Sequence, residues 1–147
     1  MDIKEEKARN LFSTGYNCAQ SVLGTFCEDN GLDIAIALKL ASGFGGGLRC
    51  GEVCGAVSGV IMAIGLKCGF YIERDFAQKD FCNKKTFEFI EKFREEKGSV
   101  LCRDLLAADI KSPADLGKPE LKEAFKNVCP EMVAAAVRIL EKMEFER

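Results

Sequence analysis

Apolar and polar positions recur along this chain with a helical period and give no two-residue alternation of any length. Ile3 to Phe12 reads as an amphipathic helix ending near Gly15. Asn17 is placed to cap the next helix, with Gln20 three residues on as the reciprocal partner. That helix is predicted to reach about Asp29 and to stop at Asn30-Gly31. A short apolar helix follows from Ile34 to Ala41, and the run Ser42-Gly43-Phe44-Gly45-Gly46-Gly47 then reads as a loop without regular structure. Cys54 to Lys67 is apolar on every face and is predicted to be buried. In it Gly55, Gly59 and Ala63 stand four apart, a line along which a second backbone can approach closely. Gln78 to Lys97 carries a stripe of Phe81, Cys82, Phe89, Ile90 and Phe93, and Cys102 to Ala108 gives a further short helix. Pro119 and Pro130 each have the look of a first-turn proline, which predicts separate helices over 119–127 and 130–145. The expected fold is all-α. It is a compact single-domain helical bundle over residues 1–147, with about six to seven helices and the glycine-rich loop before its central buried helix.

Composition narrows what such a bundle can do. Apolar residues make up 48% and charged residues 30% of 147, a balance that suits one globular domain. The formal net charge is −2 and no basic stripe exists, so no nucleic-acid partner is expected. The lysines and arginines of 84–94 interleave with glutamates, as on a solvated helix face. Met1 to Lys7 is charged and amphipathic, unlike a signal peptide, and no stretch is long enough for a membrane span. A cytoplasmic location is expected.

Eight cysteines and no histidine change the picture most. Without histidine, Ser-His-Asp and Cys-His catalysis and every histidine-containing metal site are excluded. In a cytoplasmic chain with an adequate core, this many cysteines points to redox work or metal binding. Position separates them. Cys27, Cys68 and Cys82 fall on apolar arcs or at a helix end and read as packing residues. Cys18, Cys54, Cys102 and Cys129 each fall at a predicted helix start. There unpaired N–H groups and the helix dipole favour the thiolate, the form that attacks disulfides and binds metals. Cys50, beside Arg49, is a candidate resolving thiol.

The residues around these cysteines resemble a known family. Cys54-Gly55-Ala56-Val57-Ser58-Gly59 fits the CGAxxG signature of the redox-active protein family named for its C_GCAxxG_C_C cysteine pattern. Tyr16-Asn17-Cys18-Ala19-Gln20 supplies an upstream cysteine, and Gly43 to Gly47 resembles the loop before the motif. Cys102-Arg103-Asp104-Leu105-Leu106 with Asp109 supplies a third, and Cys129 before an alanine-rich helix a fourth. The resemblance implies that Cys18, Cys54, Cys102 and Cys129 are the signature cysteines and that the chain is redox-active.

Two chemistries suit four such thiols. One is dithiol–disulfide exchange or electron transfer with a redox partner protein or a small thiol, with Cys54 as the expected nucleophile in a thiol–disulfide oxidoreductase. The other is all-cysteine ligation of an iron–sulfur cluster or zinc by Cys18, Cys54, Cys102 and Cys129. A third reading is a non-catalytic helical interaction module, such as a homodimer, with Phe87, Phe125 and Phe145 as a contact face. The run Gly45-Gly46-Gly47 lacks the lysine and Ser/Thr of a phosphate-binding loop.

Overall fold

A computed structural model describes residues 2–146; Met1 and Arg147 lie outside the described residues. The chain is all-α, in the order α1 (Ile3–Ser13), α2 (Cys18–Phe26), α3 (Ile34–Leu40), α4 (Gly55–Cys68), α5 (Phe76–Lys97), α6 (Cys102–Leu106), α7 (Pro113–Leu116) and α8 (Pro119–Lys142). A single 3₁₀ turn, Glu28–Asn30, closes the end of α2, and Gly31 follows it in the left-handed conformation at φ 81°. The reciprocal cap of α2 forms as its sequence predicts. Asn17 accepts from the Gln20 N–H at 2.9 Å, and the Gln20 side chain accepts from the Asn17 N–H at 2.9 Å.

The core is built around α4, whose Ala56, Val57, Val60, Ala63 and Ile64 are fully buried. Its small residues set how closely α2 comes. A Cβ at Gly59 would lie 2.9 Å from the Ala19 carbonyl oxygen, and one at Gly55 3.1 Å from the Ala19 nitrogen. The two backbones meet because glycine occupies those positions, as the four-residue spacing predicts. Phe89 and Phe93 of α5 cover another side of α4, with ring centroids 5.9 Å apart. Helix α8 then packs across α1, α2, α4 and α5.

Two predicted elements are corrected. The helices expected over 119–127 and 130–145 are one helix, α8, with Pro130 inside it. A mid-helix proline costs about 3 kcal/mol through its missing N–H and its clash with the preceding turn. Leu121 before it and Val133, Ala134, Ala135, Ala136 and Val137 after it are all buried. Breaking the helix at 129 would expose one of those stretches, so burial outweighs the proline. The short α7 was not anticipated at all; its cap is Ser112 with Asp115, a box in which Pro113 sits at the first turn.

The glycine-rich loop also differs from its expectation. Gly46, Gly47, Leu48 and Arg49 take consecutive left-handed conformations, with φ between 61° and 63°. For Leu48 and Arg49 this costs about 1–2 kcal/mol each. Gly47 has no alternative, since a Cβ there would lie 2.5 Å from the Glu52 oxygen and 2.7 Å from the Cys102 Cβ. The loop is an ordered left-handed turn held by its neighbours.

Candidate functional site

Cys18, Cys54 and Cys102 begin their helices as expected. Cys18 is the first residue of α2, Cys54 caps α4, and Cys102 is the first residue of α6. Cys129 does not. It lies in the interior of α8, one residue before Pro130, so the helix start proposed for it does not exist. Its backbone has no free helix-terminal N–H to offer, and it reaches the other cysteines through packing alone.

All four are nevertheless buried in one place. Cys129 is the side chain that acts most strongly on Cys18, and a charge on Cys129, Cys54 or Cys102 would each be felt there. Cys54 and Cys102 are coupled to one another and each to Cys129. Every pair among the four sulfurs thus interacts.

Local structure explains how the chain gathers them. Gly55 lets α2 sit against α4, with a Cβ there 3.1 Å from the Cys18 Cβ, so Cys18 and Cys54 become neighbours. An isolated antiparallel bridge pairs Val53 with Leu101. It is fixed by the Cys54 N–H donating to the Val100 carbonyl at 2.7 Å and the Cys102 N–H to the Glu52 carbonyl at 2.6 Å. Side chains alternate across such a ladder, so Cys54 and Cys102, each next to a bridged residue, share the face opposite Val53 and Leu101. Arg103 ties α6 to the same loop, donating to the Gly51 carbonyl at 3.2 Å and pairing with Glu52 at 3.1 Å. The Asn17 side chain donates to the Ser42 carbonyl at 3.0 Å, and Gln20 donates to the Leu38 carbonyl at 3.0 Å. The Asn-Cys-Ala-Gln segment therefore does two jobs: it caps α2 and anchors the glycine-rich loop. The second of these has no signal in the local sequence.

The electrostatics reverse the expectation drawn from helix starts. Burial pushes the Cys54 thiol up to about 11, with Cys129 adding to the rise; the N–H groups of Ala56 and Val57 pull the other way and do not prevail. Burial pushes Cys102 up to about 12, helped by Cys54 and Cys129. Cys18 is raised by the neighbouring Cys129 and by burial. A helix dipole contributes about 0.3–1 kcal/mol, under one pKa unit, whereas full burial moves a group by up to about 3–5 units. These sulfurs are held as thiols at neutral pH.

A family model described as "Putative redox-active protein (C_GCAxxG_C_C)" matches residues 16–143. The chain belongs to that family. The match contains all four clustered cysteines and begins at Tyr16, just before the capping segment. Where the letters of the family's pattern run Gly-Cys-Ala, this chain reads Cys54-Gly55-Ala56, and it is Gly55 that contacts α2. No curated protein and no solved structure matches the chain.

All eight cysteines stand as free thiols. Cys50 is exposed in the left-handed turn, its thiol donating to the Gly47 carbonyl at 3.5 Å. Four cysteines would suit zinc or an iron–sulfur cluster by ligand chemistry. Among the described residues, however, no group of three or more cysteine, aspartate or glutamate side chains is arranged to hold a metal ion. Beside the cluster, a groove of about 590 Å³ between α1 and α8 is lined by Phe12, Phe125 and Pro130. No helix among the described residues is long and apolar enough to cross a membrane. Of the phenylalanines expected to form a contact face, Phe87 is exposed while Phe125 and Phe145 are half-buried.

Proposed function

We propose that Cys18, Cys54, Cys102 and Cys129 form a thiol–disulfide exchange centre that passes two electrons at a time. The observation that carries this reading is the burial of four cysteines from four helices together: the Gly55 contact brings Cys18 to Cys54, the Val53–Leu101 bridge brings Cys54 to Cys102, and Cys129 acts on all three.

The contacts support Cys18–Cys129 as one pair and Cys54–Cys102 as the other. Cys54, the expected nucleophile, is buried, whereas Cys50, the expected resolving thiol, is exposed; the roles are therefore reversed, with an external disulfide meeting Cys50 first and the oxidising equivalent passing to Cys54 and its partner. In the net step, two protein thiols become one disulfide and the incoming disulfide leaves as two thiols, carrying away both protons. A redox partner protein or a small thiol supplies or accepts those electrons. The Asp, Glu and Cys arrangement gives less support to a metal centre, and the redox name of the family favours exchange.

Tryptic mapping tests this directly. Protein oxidised with diamide, alkylated and digested should link peptide 10–39 to 127–138, and 50–67 to 98–103, with fragmentation placing the links at Cys18 rather than Cys27 and at Cys54 rather than Cys50. Recovery of Cys18, Cys54, Cys102 and Cys129 fully alkylated after oxidation would sink the exchange reading. Stoichiometric zinc or iron in anaerobically purified protein would replace it with the metal reading.

A further inference from the structure

We infer that Cys68 and Cys82 form a second dithiol, separate from the signature cluster, that is oxidised by an anionic low-molecular-weight disulfide. Sequence alone reads both as packing residues, since one ends an apolar helix and the other lies in a phenylalanine stripe. The fold sets them against each other. Gln78, in the first turn of α5, donates its side-chain N–H to the Cys68 carbonyl at 2.7 Å and so fixes the start of α5 on the end of α4. Cys82 is four residues after Gln78 and therefore lies on the same face of α5, one turn further along. The Cys68 thiol donates to the Ile64 carbonyl at 3.4 Å, and Cys82 is the neighbouring group that most strongly opposes its ionisation.

Their surroundings differ from those of the signature cluster in charge and access. Burial pushes the Cys68 thiol up to about 11, and Lys85 and Lys67 act against that rise. These lysines are held in place by aromatic rings: Lys67 sits 5.5 Å and Lys85 5.7 Å from the centre of Phe145. Lys85 also pairs with Glu88 at 3.4 Å, and together with Lys67 it favours an anionic reactant at this thiol pair. Cys82 is half-buried, whereas Cys68 is buried. A groove of about 520 Å³, within the range of small-molecule sites, is lined by Cys68 together with Lys67, Phe70, Tyr71, Gln78 and the Asp75 carboxylate. Its rim is apolar and open, with Tyr71 92% exposed.

The reaction balances within the pair and its reactant. The Cys82 thiolate attacks one sulfur of the incoming disulfide and expels the first thiolate, leaving a mixed disulfide on Cys82. The Cys68 thiolate then attacks the Cys82 sulfur, expels the second thiolate and closes the Cys68–Cys82 bond. Two protein thiols are oxidised, one small disulfide is reduced to two thiols, and the two protons released by the cysteines go to those products. The new bond joins the end of α4 to α5 across the loop that carries Tyr71.

Oxidised glutathione is the probe. The full chain is incubated with it anaerobically, then blocked with N-ethylmaleimide and digested with trypsin. Cys68 and Cys82 fall on separate peptides, 68–74 and 80–84, neither of which holds any other cysteine. The expected result is a linked 68–74/80–84 species that vanishes on reduction. Cys68→Ser should trap glutathione on Cys82, and Cys82→Ser should yield at least tenfold less adduct on Cys68. Recovery of both peptides fully blocked, or an adduct on Cys82 in the native chain that never resolves, would overturn the proposal. Because the signature cysteines lie on other peptides, the outcome is independent of theirs. Circular dichroism of both serine variants checks that lost linkage is not lost fold.

Discussion

Helix α4 carries a reactive-site candidate at each end, and the two ends use opposite means. At its N-terminus Cys54 faces the Ala56 and Val57 N–H groups, and three other sulfurs surround it. At its C-terminus Cys68 has the unfavourable end of the dipole, one partner thiol, and two lysines that compensate. Both thiols nevertheless rise to about 11, and in both burial is the largest cause. The dipole that distinguishes the two ends is thus the lesser influence. What distinguishes them functionally is their company: a closed cluster of sulfurs at one end, a single pair open to a charged reactant at the other.

The most severe way to break this comparison acts on packing. Gly59→Ala puts a Cβ 2.9 Å from the Ala19 carbonyl and should destabilise the protein by about 2 kcal/mol in urea melts. Gly65→Ala, near the other end of the same helix, meets nothing within 4 Å and should stabilise by about 0.5–1 kcal/mol. Equal effects at the two sites would mean that α2 does not depend on the glycine line.

The next effect comes from pH. The Cys54 and Cys102 thiols rise from an ordinary value of 9.0 to about 11 and about 12. A raised folded-state value favours the protonated form, so this stability is complete below pH 9 and is lost as pH climbs through 11 and 12. At about 1.4 kcal/mol per unit, the loss is on the order of several kcal/mol. Reduced protein melted in urea at pH 8, 9 and 10 should show falling stability. Cys54→Ala should flatten that slope from the N-terminal end and Cys68→Ala from the C-terminal end, whatever each does to stability at pH 8. An unchanged slope in both variants would place the titration elsewhere.

The smallest expected effect sharpens the charge difference. Lys85→Gln removes one cation acting on Cys68 and should slow linkage of 68–74 to 80–84 by on the order of threefold. It should leave the rate of linkage between 50–67 and 98–103 unchanged. A matching slowdown at both would indicate a general change in the fold.

Much of this molecule is legible in its sequence. The helices before residue 100 follow from local signals: the Asn17–Gln20 box, Gly31 and Gly98 as left-handed stops, and the apolar periods between them. The close approach of α2 to α4 follows from Gly55 and Gly59. Failures come where a local rule is overridden. Pro130 looks like a helix start because its local cost is real; the apolar stretches on either side of it, buried against four other helices, decide otherwise. Ser42 to Gly47 reads as a loop because of its glycines; the left-handed turn that continues through the exposed Leu48 and Arg49 has no signal in those residue types.

The same division runs through the cysteines. Residue types, spacing and the absence of histidine by themselves narrowed the candidate chemistry to the cysteines, and the motif around Cys54 pointed to the family. Only the tertiary structure decided which thiols meet. Cys18 and Cys129 are 111 positions apart and come together because α2 and α8 pack against each other. Cys68 and Cys82 meet because α5 turns back along α4. Ionisation, too, was decided by the fold: a helix start is a local property readable from a cap, whereas burial depends on everything that packs above the sulfur.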